Sequence, residues 1–135
     1  MDFSSFQFHE SLAESLAASG YQKPTPIQEK AIPVILEGKD IIASAQTGTG
    51  KTAAFLLPVL HKLLSEDKND DDVHALILVP TRELAIQISS HLDGLTYFTS
   101  LSSIAVYGGG DGGSFVQEKQ ALSKGVDIVV ATPGK

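Results

Sequence analysis

Four short apolar runs alternate with segments of helical periodicity, and this alternation constrains the fold more than any other feature of the sequence. The run at 40–45 is bounded by Gly38 and a glycine-rich turn, as buried strands often are. Continuous apolar strands separated by helices are typical of a parallel sheet covered on both faces. We therefore predict an α/β fold, a parallel sheet sandwiched by helices, with strands at 40–45, 75–79, 103–107 and 127–131.

Capping residues mark the ends of the predicted helices. Gly20 stands where a glycine ends the first helix, and Thr25 with Pro26 opens the second. Pro33 and Pro58 lie inside helical patterns and are expected to kink or shorten them. Three predicted helices cover about 9–19, 52–64 and about 114–124. Two others begin at Pro26 and after the cap residue Thr81.

Size and composition indicate one globular domain. The chain has 135 residues, of which 42% are hydrophobic and 19% charged, and no apolar run approaches the roughly 20 residues that span a bilayer. It contains no cysteine, which excludes disulfides and thiolate metal sites. The four histidines lack metal-ligand spacing and are expected to be ordinary surface or edge residues. We expect a cytoplasmic protein without a membrane partner.

The net charge of −6 does not by itself exclude a nucleic-acid partner. Five of the sixteen acidic residues lie within 66–72, and such a run is normally a solvated loop. The local placement of basic groups and backbone donors decides phosphate binding, rather than the sum over the chain.

The segment 45–52, Ala-Gln-Thr-Gly-Thr-Gly-Lys-Thr, follows a predicted strand and opens a predicted helix. Gly48 and Gly50 allow backbone N–H groups to surround phosphate oxygens at the positive end of the helix dipole. Lys51 supplies a charge for the outer phosphates, and the Thr52 hydroxyl can hold Mg²⁺. The generic phosphate-loop pattern begins with glycine, whereas this segment begins with Ala45. The pattern predicts a nucleotide-phosphate site.

The segment 20–28, Gly-Tyr-Gln-Lys-Pro-Thr-Pro-Ile-Gln, is on its own a helix end followed by a capped helix start. The Gln28 amide offers a donor and an acceptor that match N6 and N7 of adenine, and the Tyr21 ring can stack on a base. The residues alone leave both interpretations open.

Five motifs in order then resemble the DEAD-box ATP-dependent RNA helicases: GYQKPTPIQ, AQTGTGKT, PTRELA, a glycine pair and TPG. The resemblance runs from Phe3 to the last residue, and the N-terminal segment is similar to bacterial RhlE-type members. It implies part of an N-terminal RecA-like domain of the P-loop NTPase class over 1–135. Residues 1–37 would form the segment carrying the adenine-binding motif, and 38–135 the α/β core.

The resemblance also implies a site for ATP or ADP with Mg²⁺. Gln28 would recognise adenine, Tyr21 would stack on it, and the backbone of Lys23 would lie beside it. Phe3 lies 17 residues before Gly20, where the family has a supporting aromatic residue, although Phe3 could equally anchor the N-terminal arm. The triphosphate and the metal would be bound by Gln46, Thr47, Gly48, Thr49, Gly50, Lys51 and Thr52, with Lys51 and Thr52 as the catalytic residues.

The remaining motifs are assigned by the resemblance to the RNA sugar-phosphate backbone. Without it they are turns and helix caps, although Arg82 is unusual, since a cation at a helix N-terminus is unfavourable unless an anion binds there. Lys135 stands where the family usually has arginine. The implied RNA-binding residues are Pro80, Thr81, Arg82, Gly108, Gly109, Thr132, Pro133 and Gly134.

The Asp-Glu-Ala-Asp motif of the family, which follows TPG, does not occur in these 135 residues, and neither does a second RecA-like domain. We therefore expect this chain alone to bind nucleotide without turnover, and to self-associate through an open sheet edge at 40–45. A P-loop kinase or GTPase, and a nucleotide-binding module without enzymatic activity, are the alternatives.

Overall fold

The computed structural model describes residues 2–46, 48, 50–66, 72–108 and 112–133. They divide into two compact units. The helical unit comprises Met1–Asp67 and Leu95–Thr99, and the sheet unit comprises Lys68–Gly94 and Ser100–Lys135. Among the described residues, no helix has both the length and the apolar character needed to cross a bilayer.

The helical unit contains a 3₁₀ turn and three helices. The turn covers Phe3–Phe6, and the helices are α1 (Glu10–Ala18), α2 (Pro26–Leu36) and α3 (Lys51–Ser65). Both α2 and α3 run through their internal prolines, so neither proline ends its helix at the preceding residue. The core of the unit is aliphatic, which fits the predicted helical periodicity; its fully buried members include Leu12, Ile32, Leu56, Leu57 and Leu60.

The strand predicted at 40–45 is absent, and this prediction was wrong. Residues 40–45 form neither helix nor strand, and the Ile42 side chain is fully exposed to solvent. A strand needs a neighbour for its backbone hydrogen bonds, and among the described residues no strand pairs with this segment. Only Ile41 and Ile42 in this run have high strand propensity, since alanine favours other structures.

The sheet unit contains the other three predicted strands. They are β1 (Ala75–Leu78), β2 (Ser103–Val106) and β3 (Ile128–Ala131), and they pair in parallel in the order β1-β3-β2. Helices α4 (Arg82–Leu95) and α5 (Gly112–Lys124) follow β1 and β2, which confirms the predicted α/β fold with a parallel sheet. All four residues of β3 are buried, as a central strand requires.

Strand register places the carboxyl ends of the three strands at one edge of the sheet. Leu78 of β1 and Val106 of β2 both pair with Ala131 of β3. One further hydrogen bond on each side extends the alignment: Val79 N–H donates to Ala131 O at 2.9 Å, and Thr132 N–H donates to Val106 O at 3.1 Å. The loops that follow the strands therefore start side by side.

Candidate nucleotide and RNA sites

Two glycines of the predicted phosphate loop, residues 45–52, have a backbone conformation that other residues rarely adopt. Gly48 has φ +85° and Gly50 has φ +87°, both in the left-handed region. Gly50 is the N-cap of α3, and a Cβ added there would overlap the Gln28 amide. Two constraints therefore favour glycine at position 50: its backbone lies in the left-handed region, and a Cβ atom would have no room beside Gln28.

The N-terminus of α3 is left open to an anion. Among the described residues no side chain caps it, and its first turn has no acidic residue. Lys51, exposed, is the first residue of the helix, and Thr52, half-buried, is the second. Unsatisfied N–H groups, the positive end of the helix dipole and a lysine together favour phosphate. The Thr52 hydroxyl is an oxygen donor of the kind Mg²⁺ prefers, so the residues present fit a nucleotide-bound metal ion.

Gln28 joins the start of α2 to the phosphate loop. Its side chain is 2% exposed; Oε1 accepts from Thr25 N–H at 2.9 Å, and Nε2 donates to Gly50 O at 3.1 Å. The sequence signal for the first contact is the capping-box spacing Thr-Pro-Ile-Gln. The second contact, between residues 22 positions apart, has no local signal and was missed. A primary amide has two hydrogens and two lone pairs, so these two contacts leave one hydrogen and one lone pair of Gln28 unused.

An aromatic pair lies at the N-terminal end of the helical unit. Phe3 is 7% exposed, and its ring packs edge-on against Tyr21 with centroids 5.7 Å apart. Burial raises the pKa of the Tyr21 hydroxyl above its ordinary value of 10.0. A cavity of about 420 Å³ opens beside the pair, between the N-terminal turn and α1. Phe3 therefore anchors the N-terminal arm, as one of its two interpretations predicted.

For the other residues predicted to bind the nucleotide, the structure either shows an exposed side chain or does not describe the residue. Lys23 and Gln46 are exposed. Thr47 and Thr49 lie outside the described residues. Within the described part of the chain, no cluster of three histidine, cysteine or acidic side chains could hold a metal ion.

Two histidines connect the N-terminal arm to α3. His9 N–H donates to His61 Nδ1 at 2.9 Å, and the Phe8 ring lies 5.8 Å from the His61 ring. Burial, and then the neighbouring His9, lower the pKa of His61 below its ordinary 6.5. His9 is exposed, as predicted for a surface residue, whereas His61 is half-buried and accepts a hydrogen bond that links two segments.

On the sheet unit, the predicted RNA residues gather at the carboxyl edge. Thr81 caps α4 as predicted, because its Oγ1 accepts from Leu84 N–H at 3.2 Å. The strand alignment brings those residues predicted to bind RNA that the structure describes to this edge, whereas Gly109 and Gly134, with Lys135, lie outside the described residues. All of those described are exposed except Thr132, which is half-buried; they are Pro80, Thr81, Arg82, Gly108, Thr132 and Pro133.

One aromatic residue at this edge was missed. The Arg82 guanidinium carbon lies 5.3 Å from the centroid of the Tyr107 ring, within the range of a cation–π contact. The ring supplies the negative partner that an arginine at a helix N-terminus lacks. The available signal was an aromatic residue at a strand end, directly before the glycine pair.

Comparison with known proteins gives one consistent result. Residues 25–135 match the family model described as DEAD/DEAH box helicase. The chain is 50% identical to the ATP-dependent RNA helicase CshA of Listeria monocytogenes, over 98% of this chain and 24% of that protein. It is 44% identical to the DEAD-box ATP-dependent RNA helicase RhpA of Helicobacter pylori, over 98% of this chain and 26% of that protein.

A solved structure agrees with the sequence matches. The crystal structure of the RNA helicase Prp28 from Chaetomium thermophilum bound to ADP superposes with a TM-score of 0.86 at 39% identity, over 98% of this chain and 32% of that one. The chain thus spans about a quarter of the curated relatives it matches. A family model that covers most of the chain, together with this identity and fold, settles its membership: the chain belongs to the DEAD/DEAH box helicase family.

Proposed function

We propose that this chain is the ATP-binding and RNA-backbone-binding part of an ATP-dependent RNA helicase that locally unwinds RNA duplexes. The observation that carries the nucleotide half is the open N-terminus of α3, which Gln28 connects to the start of α2 through Gly50. The relatives that the chain matches are named ATP-dependent RNA helicases, and the similar Prp28 structure holds ADP. The RecA-like domain division predicted from the sequence belongs to the same proposal.

In this proposal the phosphates of ATP or ADP bind at the N-terminus of α3. Backbone N–H groups of the loop and the first turn donate to phosphate oxygens, and Lys51 neutralises the outer charge. Mg²⁺, when bound with the nucleotide, would neutralise further phosphate charge with Thr52 as its ligand from this chain. Tyr21, Lys23 and Gln28 are the proposed contacts to the adenosine end.

Gln28 has two roles in this scheme that experiment can separate. Its contact with Gly50 O positions the phosphate loop, and its remaining hydrogen and lone pair would read adenine. Gln28→Glu keeps an acceptor for Thr25 N–H but removes the donor to Gly50 and to the base. If Gln28 reads the base, the preference for ADP over GDP measured by calorimetry collapses in this variant.

The same titrations identify the other outcome. If Gln28 only positions the loop, ADP, GDP and inorganic pyrophosphate all weaken together and the preference for ADP persists. Equal affinity of the unmodified chain for ADP and GDP would reject base reading altogether. The variant Gln22→Glu, at an exposed position outside the capping box, is the control for added charge.

RNA binding is proposed at the carboxyl edge of the sheet. The contacts would be made by Arg82, by the Thr81 and Thr132 hydroxyls and by backbone N–H groups near Gly108, none of which reads base sequence. We expect weak binding that depends on salt and not on RNA sequence. A filter-binding panel of unrelated single strands tests this, and a strong preference for one sequence would contradict it.

ATP turnover by this chain alone is not expected. The described residues place no carboxylate pair at a strand end to orient Mg²⁺ and the attacking water. A phosphate-release assay with and without RNA should give background rates while calorimetry still detects bound nucleotide. RNA-stimulated hydrolysis would overturn this part of the proposal. Self-association and the cytoplasmic location stay predictions.

A further inference from the structure

The contact between Arg82 and Tyr107 connects the two outer strands of the sheet. Arg82 opens α4, which follows β1, and Tyr107 comes directly after β2. Because β3 lies between them, their cation–π contact crosses the end of the central strand, which Thr132 follows. Neighbouring strands are about 4.8 Å apart, so the two side chains together span roughly 10 Å of this edge.

Tyr107 is the fixed partner of the pair. Its ring is half-buried, and the residue before it, Val106, is buried at 7% exposure with Val129 and Ala131. Val106 O also accepts from Thr132 N–H, which ties the start of the Tyr107 loop to β3. Arg82 is exposed and has many rotamers of its own, so the ring restricts a side chain that would otherwise be mobile.

The contact leaves the donors of Arg82 available. A cation–π contact needs no hydrogen-bond acceptor, and where a guanidinium lies face-on over a ring its five N–H groups stay in the plane, free for other partners. Within the described part of the chain, Arg82 forms no ion pair with a carboxylate. Arg82 is therefore held near the Tyr107 ring without a carboxylate partner from the described residues, and its guanidinium can still hydrogen-bond to an anion.

We propose that Tyr107 is a positioning residue for RNA binding: its ring holds the Arg82 guanidinium at the carboxyl edge of the sheet so that Arg82 receives a phosphodiester. This role rests on the proposed contact between Arg82 and the RNA backbone. The aromatic ring of Tyr107 performs this positioning, and its phenolic hydroxyl is not needed for it.

The test is a double-mutant cycle on single-stranded RNA affinity, measured by fluorescence anisotropy at low salt with the 135-residue chain. Tyr107→Leu should weaken binding by about three- to fivefold, the range of one exposed cation–π contact. Tyr107→Phe should stay within about twofold of the original, because it keeps the ring. Tyr97→Leu, which removes an aromatic side chain that is 78% exposed, is the matched control and should change nothing.

In an Arg82→Ala background, Tyr107→Leu should have no further effect. A separate NMR readout follows the Arg82 Nε–Hε signal without RNA; its ring-current shift should persist in Tyr107→Phe and vanish in Tyr107→Leu. If Arg82→Ala leaves RNA affinity unchanged, the proposed RNA contact of Arg82 fails and this inference fails with it.

If Arg82→Ala weakens binding but Tyr107→Leu does not, only the positioning role is overturned. An equal loss from Tyr107→Leu in both backgrounds, or a loss from Tyr107→Phe as large as that from Tyr107→Leu, also overturns it. Chemical-shift maps confined to the neighbourhood of Tyr107 confirm that each variant is folded.

Discussion

The two units of the molecule build their candidate sites by different means. In the helical unit, one side chain, Gln28, connects α2 to the phosphate loop, while residues 40–45 before the loop have no strand partner among the described residues. In the sheet unit, backbone register aligns the three loops, through Val79, Thr132 and the strand pairs between them. Side-chain substitutions should therefore disrupt the first site more readily than the second.

Gly50→Ala should be the most damaging single change. Alanine at φ +87° costs about 1–2 kcal/mol of unfolding free energy as strain, and its Cβ would additionally displace the Gln28 amide. The matched control is Gly38→Ala, at φ +84° with no atom within 4 Å of the added Cβ. We expect the control to lose only the strain energy in urea unfolding and to keep its ADP affinity.

Gly50→Ala should lose more unfolding free energy than Gly38→Ala, and most of its ADP affinity. Equal losses of unfolding free energy in the two variants would mean that the Gln28–Gly50 contact contributes nothing to the fold. In that case the contrast between the two units would no longer hold.

Lys51→Ala comes next in expected size. A hydrogen bond between charged groups contributes about 1.5–3 kcal/mol, so ADP affinity should fall by roughly 10- to 100-fold. The control is Lys39→Ala, an exposed lysine whose partner is Glu37 at 3.0 Å and which lies outside the loop. Calorimetry should show no change there. Unchanged affinity in Lys51→Ala would remove this lysine from the proposed phosphate site.

The sequence predicted the positions of helices and strands better than the contacts between distant residues. Helix α3 and strands β1, β2 and β3 were predicted to within two residues at each end, because hydrophobic period and caps are local signals. The strand at 40–45 failed because pairing depends on a second segment that the apolar run itself does not specify. The contacts of Gln28 with Gly50 and of Arg82 with Tyr107 join distant residues, so they appeared only with the fold.

Self-association was predicted through an open sheet edge at 40–45, but these residues form no strand, so the open edge to test is that of β1. Among the described residues β1 pairs only with β3, and it exposes Leu76 at 62% and Leu78 at 65%. An outer strand with apolar side chains recruits other chains. Sedimentation velocity over a concentration series should show dimers or larger species, and Leu78→Lys should shift them toward monomer. Monomer at every concentration in the unmodified chain would exclude the prediction.

The smallest expected effect is a pH dependence in the helical unit. His61 must be unprotonated at Nδ1 to accept from His9 N–H, and burial lowers its pKa in the folded chain below the ordinary 6.5. The unfolded chain therefore binds a proton first as pH falls. The stabilising contribution is complete above about pH 6.5 and is lost as pH decreases through the lowered pKa of His61.

His61→Asn measures this contribution, because its amide oxygen can accept near the Nδ1 position without titrating in this range. The pKa of His91 is also lowered by burial, so His91→Asn provides the background in which both chains are compared. In that background, the melting temperature of the chain with His61 should fall on acidification below pH 6.5 more steeply than that of His61→Asn. The decrease should be modest, since His61 is only half-buried and solvent screens its charge. Parallel curves would show that the link between the N-terminal arm and α3 does not depend on the protonation of His61, and that the helical unit is held there by ring packing with Phe8 instead.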